Sequence, residues 1–130
     1  MKQLRVLIVE DEPDNQAIVR AVVEEMVGYS AVLADDGVEA LSRVSEEPPE
    51  LVLLDLMLPK LDGYEVARRL KGDPRTQDVP IIAITALARP SDRARALEAG
   101  CDDCVDKPFD LDALEQKIRL RVSSGPEARG

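Results

Sequence analysis

Apolar residues occur along this chain in two alternating patterns: short unbroken runs, and runs at helical spacing. "LRVLIV" (4–9) is short and β-branched, which predicts a strand. Residues 13–27 have Pro13 at a helix start, Ile18, Ala21, Val22 and Met26 at helical spacing, and Gly28 just past the end. The alternation continues with strands over 30–34, 50–55, 79–85 and 104–106, and helices over 36–47, 64–71, 91–99 and 111–122. Five strands alternating with five helices predict an α/β fold, a parallel sheet covered on both faces. The first, third and fourth strands are almost wholly apolar, as central strands buried on both sides must be. Residues 123–130, "SSGPEARG", read as a flexible tail or linker stub after one domain of residues 1–122, with no second domain following.

The 130 residues are enough for one domain with a genuine core, and with only 2% aromatics that core must be aliphatic. A net charge of −9 argues against direct nucleic-acid binding. No apolar run approaches the ~20 residues that span a bilayer. The N-terminus "MKQLRVLIVE" carries one short apolar run and no cleavage site, so no signal peptide is expected, and the chain reads as cytoplasmic. Cys101 and Cys104 form a C-x-x-C, but with no histidine the chain has too few ligands for zinc. A strand-like "VDK" follows the motif rather than the helix of a thioredoxin-type site, so two reduced thiols are expected.

The chemistry gathers at the carboxyl ends of the strands, where open parallel sheets bind ligands. Asp55 ends the run "LVLLD", where an unpaired buried charge would cost several kcal/mol or more. Glu10 and Asp11 follow the first strand, Thr85 ends the fourth, and Lys107 follows the fifth. Clustered carboxylates repel unless a cation joins them. Oxygen ligands alone select a hard ion such as Mg²⁺. Lys107 supplies a point charge for a phosphoryl oxygen, Thr85 a donor, and Asp55 a nucleophile able to become an aspartyl phosphate. Singly, these residues have ordinary explanations as caps, turn residues and solvated charges. Their joint placement at four strand ends points to phosphoryl chemistry.

"VLIVEDEPDNQ", "LVLLDLMLPKLDGYE", "IIAITALA" and "CVDKPF" resemble the receiver domain of two-component response regulators, chemotaxis-type single-domain regulators among them, from about Leu4 to Val122. The resemblance implies a flavodoxin-like, doubly wound sheet in the order 2-1-3-4-5. It makes Asp55 the phosphoacceptor, served by a phosphohistidine of a sensor histidine kinase or phosphotransfer protein, and it implies a signalling domain rather than an enzyme. Asp11 and Asp55 would ligate Mg²⁺ directly, Glu10 through water, and the backbone carbonyl of Met57 would complete the protein ligands. Thr85 would be the switch hydroxyl, Lys107 the phosphate partner and Lys107–Pro108 a cis peptide, with Gly63 allowing the turn into the third helix. Met57 and Leu87 would flank the phosphoryl group, and neither can orient an attacking water, so slow self-dephosphorylation is expected. The acidic pair is Glu-Asp where the family more often has Asp-Asp. Cys104 stands where the family usually has Tyr or Phe. The downstream partner or effector is not legible; the arginines at 89, 93 and 95 near the fourth helix mark a candidate output face.

Other phosphate chemistries fit less well. A haloacid-dehalogenase-type phosphatase needs a second Asp two positions after the nucleophile, where this chain has Met57. An FMN-binding flavodoxin needs a hydroxyl- and amide-rich phosphate loop, and "EDEPDN" would repel a phosphate without a metal. No G-x-x-x-x-G-K-[ST] occurs for a P-loop.

Overall fold

The apolar runs become five parallel strands of one sheet: β1 (Arg5–Val9), β2 (Ser30–Ala34), β3 (Leu51–Asp55), β4 (Ile81–Thr85) and β5 (Asp103–Asp106). Their order is β2-β1-β3-β4-β5, the flavodoxin-like order. The computed structural model describes residues 4–58, 60–86, 89–107 and 110–123. The Lys107–Pro108 bond, Leu87 and nearly all of the 123–130 tail lie outside the described residues. Among those described, the connecting helices are α1 (Pro13–Ala21), α2 (Gly37–Glu46), α3 (Gly63–Gly72), α4 (Pro90–Ala99) and α5 (Leu111–Ser123).

Alternation along the strands divides the core in two. Leu7, Val9, Val52, Leu54, Ile81 and Ala83 face α2, α3 and α4. Val6, Ile8, Leu51, Leu53, Ile82 and Ile84 face α1 and α5. Every residue of β3 and β4 is buried, whereas β2, at the sheet edge, is only partly so. Each fully buried Leu or Ile contributes roughly 1.5–3 kcal/mol, so β3 is a rigid base for whatever stands at its end.

Side chains set the helix starts. Asp36 caps α2 by accepting the Glu39 N–H at 2.8 Å, and Glu39 reaches back to the Asp35 N–H at 2.7 Å. Asp62 caps α3 through the Glu65 N–H at 2.9 Å. The helix expected over 13–27 is α-helical only to Ala21; Val22–Val27 continue it as π-helix. Gly28, at φ 86°, ends that turn, and its N–H donates to the Val23 carbonyl five residues back.

The fourth strand begins at Ile81 rather than at 79, because the Val79 N–H turns back to the Thr76 carbonyl and Pro80 has none to give. At this amino-terminal end of the sheet Lys71 acts as a staple. Its Nζ donates to the carbonyls of Gln77 (3.3 Å) and Val79 (2.8 Å) and to Asp102 Oδ2 (3.1 Å). Asp102 Oδ2 also accepts the Ile81 N–H at 2.8 Å.

Candidate functional site

Strand register brings the site together. Val9 pairs with Leu54, so the next residues, Glu10 and Asp55, stand side by side. Asp55 pairs with Ile84, which sets Thr85 one step beyond it on β4. Thr85 pairs with Asp106, and the Lys107 N–H donates to the Thr85 carbonyl at 2.9 Å, turning the chain so that Lys107 faces the carboxylates. Glu10, Asp55 and Thr85 are all buried, at 1%, 3% and 1% exposure.

The buried carboxylates are held by backbone N–H groups and by the Lys107 ammonium. Asp55 Oδ1 accepts the Met57 N–H at 2.9 Å, and Asp55 Oδ2 accepts from Lys107 Nζ at 3.0 Å. The same Nζ lies 3.0 Å from Glu10 Oε1, while Glu10 Oε2 accepts the Glu12 N–H at 3.1 Å. Burial pushes the Glu10 carboxyl up to about 7; the Glu12 N–H and Lys107 pull against that, and the Asp55 charge adds to it. For Lys107, burial alone favours the neutral amine, but Glu10 and Asp55 outweigh it and raise its pKa.

Asp11 completes the acidic group from the solvent side. Carboxylate oxygens of Glu10, Asp11 and Asp55 all lie within 4.8 Å of one another. One ammonium against three carboxylates leaves an excess of negative charge that a divalent cation would balance. The donors are all hard oxygens and the chain has no histidine, so the set fits an ion of the Mg²⁺ class. Met57 stands at the rim, 61% exposed, tied to Asp55 through its N–H.

Gly63 has a different role from the turn expected of it. Its φ is not positive; Gly28 and Gly100 are the described glycines that need the left-handed region. A Cβ on Gly63 would come 2.5 Å from the Asp55 carbonyl oxygen and 2.6 Å from Leu56 Cα. Glycine is required there for close approach of α3 to the backbone of the nucleophile, not for a turn.

Gln16 and Lys60 also support the loops around the site. The Gln16 side-chain amide donates to the Glu10 carbonyl at 2.5 Å and to Asp35 Oδ1 at 2.7 Å, fixing the β1–α1 turn. Lys60 holds φ 67° in the β3–α3 loop and pairs with Asp36 Oδ2 at 3.3 Å. Neither carries a sequence signal separating it from a solvated surface residue. Cys101 and Cys104 are free, buried thiols, and burial, helped by Cys104, pushes Cys101 up to about 12.

Fold and site together define a receiver domain of two-component response regulators, and the chain belongs to that family, whose model matches residues 6–119. It is 38% identical over 115 residues to the DNA-binding dual master transcriptional regulator RpaA of Synechocystis, covering 88% of this chain and 47% of that protein. It is 41% identical over 122 residues to the response regulator MprA of Mycobacterium tuberculosis, covering 89% of this chain and 49% of that protein. The chain spans about half the length of the curated relatives it matches. Among solved structures it resembles a response regulator of Chloroflexus aurantiacus, at TM-score 0.89 and 30% identity over 94% of this chain and 99% of that one. It also resembles the receiver domain of a sensor histidine kinase of Pseudomonas aeruginosa, solved with a magnesium ion coordinated in its active site cleft. There the TM-score is 0.86 and the identity 34%, over 95% of this chain and 100% of that one. Among the described residues no helix is long and apolar enough to cross a membrane.

Proposed function

We propose that Asp55 accepts a phosphoryl group from a phosphohistidine of a sensor histidine kinase or phosphotransfer protein, and that the resulting aspartyl phosphate switches the domain's contacts. The observation that carries this is Lys107 Nζ, 3.0 Å from both Asp55 Oδ2 and Glu10 Oε1 within a cluster of three carboxylates. In the transfer, a carboxylate oxygen of Asp55 forms the new P–O bond as the P–N bond to the donor imidazole breaks. The Met57 N–H and Lys107 orient the carboxylate, and Lys107 pairs with the added phosphoryl charge. Asp11, Asp55, Glu10 through water, and the Met57 carbonyl would hold Mg²⁺, which when bound neutralises phosphoryl oxygens. Thr85, at the end of β4, is the hydroxyl that senses the phosphoryl group.

The whole-protein reading follows from the length relation. Residues 1–122 form the receiver, 123–130 a tail or linker stub, and a partner protein or an effector domain reads the receiver's state. The charge of −9 makes direct nucleic-acid binding by this part unfavourable, and we place the protein in the cytoplasm, away from the membrane. The test is incubation with acetyl phosphate and Mg²⁺. A single base-labile phosphoryl group, lost in Asp55→Asn and prevented by EDTA, supports the reading. Full labelling of Asp55→Asn, or labelling indifferent to EDTA, refutes it.

A further inference from the structure

α4 rests on small side chains. Its buried residues are Ala96 and Ala99, in the same core group as Cys101 and Cys104, while its Leu97 is 56% exposed. Two alanines remove little apolar area from water, so burial alone holds α4 weakly. Two arginines add side-chain contacts to it. Arg93 Nη2 donates to Asp106 Oδ2 at 2.5 Å. The Arg95 guanidinium carbon lies 4.0 Å from the centroid of the Tyr64 ring, a cation–π contact.

Tyr64 is an uncomfortable partner. It is 3% exposed, yet its hydroxyl has no hydrogen-bond partner among the described residues. A buried hydroxyl without a partner carries a cost that vanishes once it reaches water or an acceptor.

The positions of the two anchors matter most. Tyr64 follows Gly63, which lies against the Asp55 carbonyl. Asp106 precedes Lys107, whose ammonium is bound to the Asp55 carboxylate. Each α4 arginine therefore grips a residue one step from a group that touches Asp55.

We propose that the Arg95–Tyr64 stack and the Arg93–Asp106 ion pair form a latch that holds α4 in its resting position, and that a phosphoryl group on Asp55 releases it. This rests on Asp55 being the phosphoacceptor. The added phosphoryl oxygens draw Lys107 toward them and crowd the β3–α3 turn, displacing both anchors. Tyr64 then leaves the Arg95 cover and its hydroxyl reaches a partner. Tyr64 and Arg95 are positioning residues that bias a two-state helix.

The chain has two tyrosines and no tryptophan, so Tyr29→Phe leaves Tyr64 as the sole source of tyrosine emission. Beryllofluoride with Mg²⁺ serves as the phosphoryl mimic, its bound form followed by fluorine NMR. With bound mimic, Tyr64 should become accessible to acrylamide quenching. Arg95→Ala should expose Tyr64 before any addition and tighten beryllofluoride binding about twofold to fivefold, with Arg95→Lys in between. Tyr64→Phe keeps the ring but removes the unpartnered hydroxyl, so it should favour the latched state and weaken binding about twofold or more. Bound mimic with Tyr64 still shielded overturns the latch. So does a failure of Arg95→Ala and Tyr64→Phe to shift affinity in opposite directions. Absence of any bound fluoride signal in the parent protein instead overturns the phosphoacceptor reading, and the latch with it.

Discussion

Lys107 Nζ lies 3.0 Å from Asp55 Oδ2, so the resting nucleophile is already paired with the cation proposed to hold the charge of its phosphoryl group. The pair is nearly dry: the Lys107 side chain is 19% exposed and that of Asp55 4%. Charges so placed depend on one another, and deleting either has unequal consequences.

Lys107→Ala should be strongly destabilising, by about 3–5 kcal/mol, because it leaves Glu10 and Asp55 buried together without a cation. Asp55→Asn should stay within about 1 kcal/mol of the parent, since it removes like-charge repulsion, keeps an acceptor for the Met57 N–H and leaves Lys107 its Glu10 partner. Urea denaturation in EDTA measures both. Equal losses would show that repulsion within the carboxylate cluster is not what Lys107 relieves.

Asp11 is the exposed member of the cluster. Asp11→Asn should leave stability within about 0.5 kcal/mol of the parent and weaken Mg²⁺ binding tenfold or more, on the order of the loss of a charged metal ligand. Calorimetric titration with Mg²⁺ decides this, and unchanged affinity removes Asp11 from the metal site.

Gly63→Ala puts a methyl group 2.5 Å from the Asp55 carbonyl oxygen, a backbone atom that cannot rotate away. A loss of about 1–3 kcal/mol is expected, together with slower labelling by acetyl phosphate as the nucleophile is displaced. The same substitution at Gly72, whose added Cβ would meet nothing within 4 Å, is the control and should leave labelling unchanged.

The thiols give a pH signature. Cys101 is 4% exposed and its pKa is pushed up to about 12, against 9.0 for a free thiol. Above pH 9 the unfolded chain loses this proton while the folded chain keeps it. Stability therefore falls as pH rises from about 9 toward 12, by up to about 1.4 kcal/mol per pH unit from this group. Denaturation at pH 8 and pH 10 should show a steeper loss in the parent than in Cys101→Ala. Iodoacetamide at pH 8 should leave the folded protein unlabelled at both cysteines and label both in urea. Rapid labelling of native Cys101 would contradict its burial.

Much of this was legible in the sequence for physical reasons. Buried parallel strands need unbroken aliphatic runs, so "LVLLD" and "IIAIT" announced themselves, and strand ends then located Glu10, Asp55, Thr85 and Lys107. Strand register, not sequence proximity, made Glu10 a neighbour of Asp55, yet the parallel order already implied it. Other features had no such signal. Six residues are too few for apolar spacing to separate the i→i+5 turn at Val22–Val27 from ordinary helix. A glycine before a helix reads equally as a turn or a close approach, and only the distance to Asp55 chose between them for Gly63. Gln16 and Tyr64 act through space on residues of other elements, which no local pattern encodes.

Lys71 gives the molecule two unlike poles. At the carboxyl ends of the strands negative charge is in excess, whereas at the other end Lys71 is matched by Asp102 and two carbonyls. A dye or surface tether attached at the exposed positions 74 or 75 would sit beside the segment that Lys71 ties down through Gln77 and Val79. Being remote from the carboxylate cluster, this loop is a natural origin for a distance ruler laid across the domain to α4.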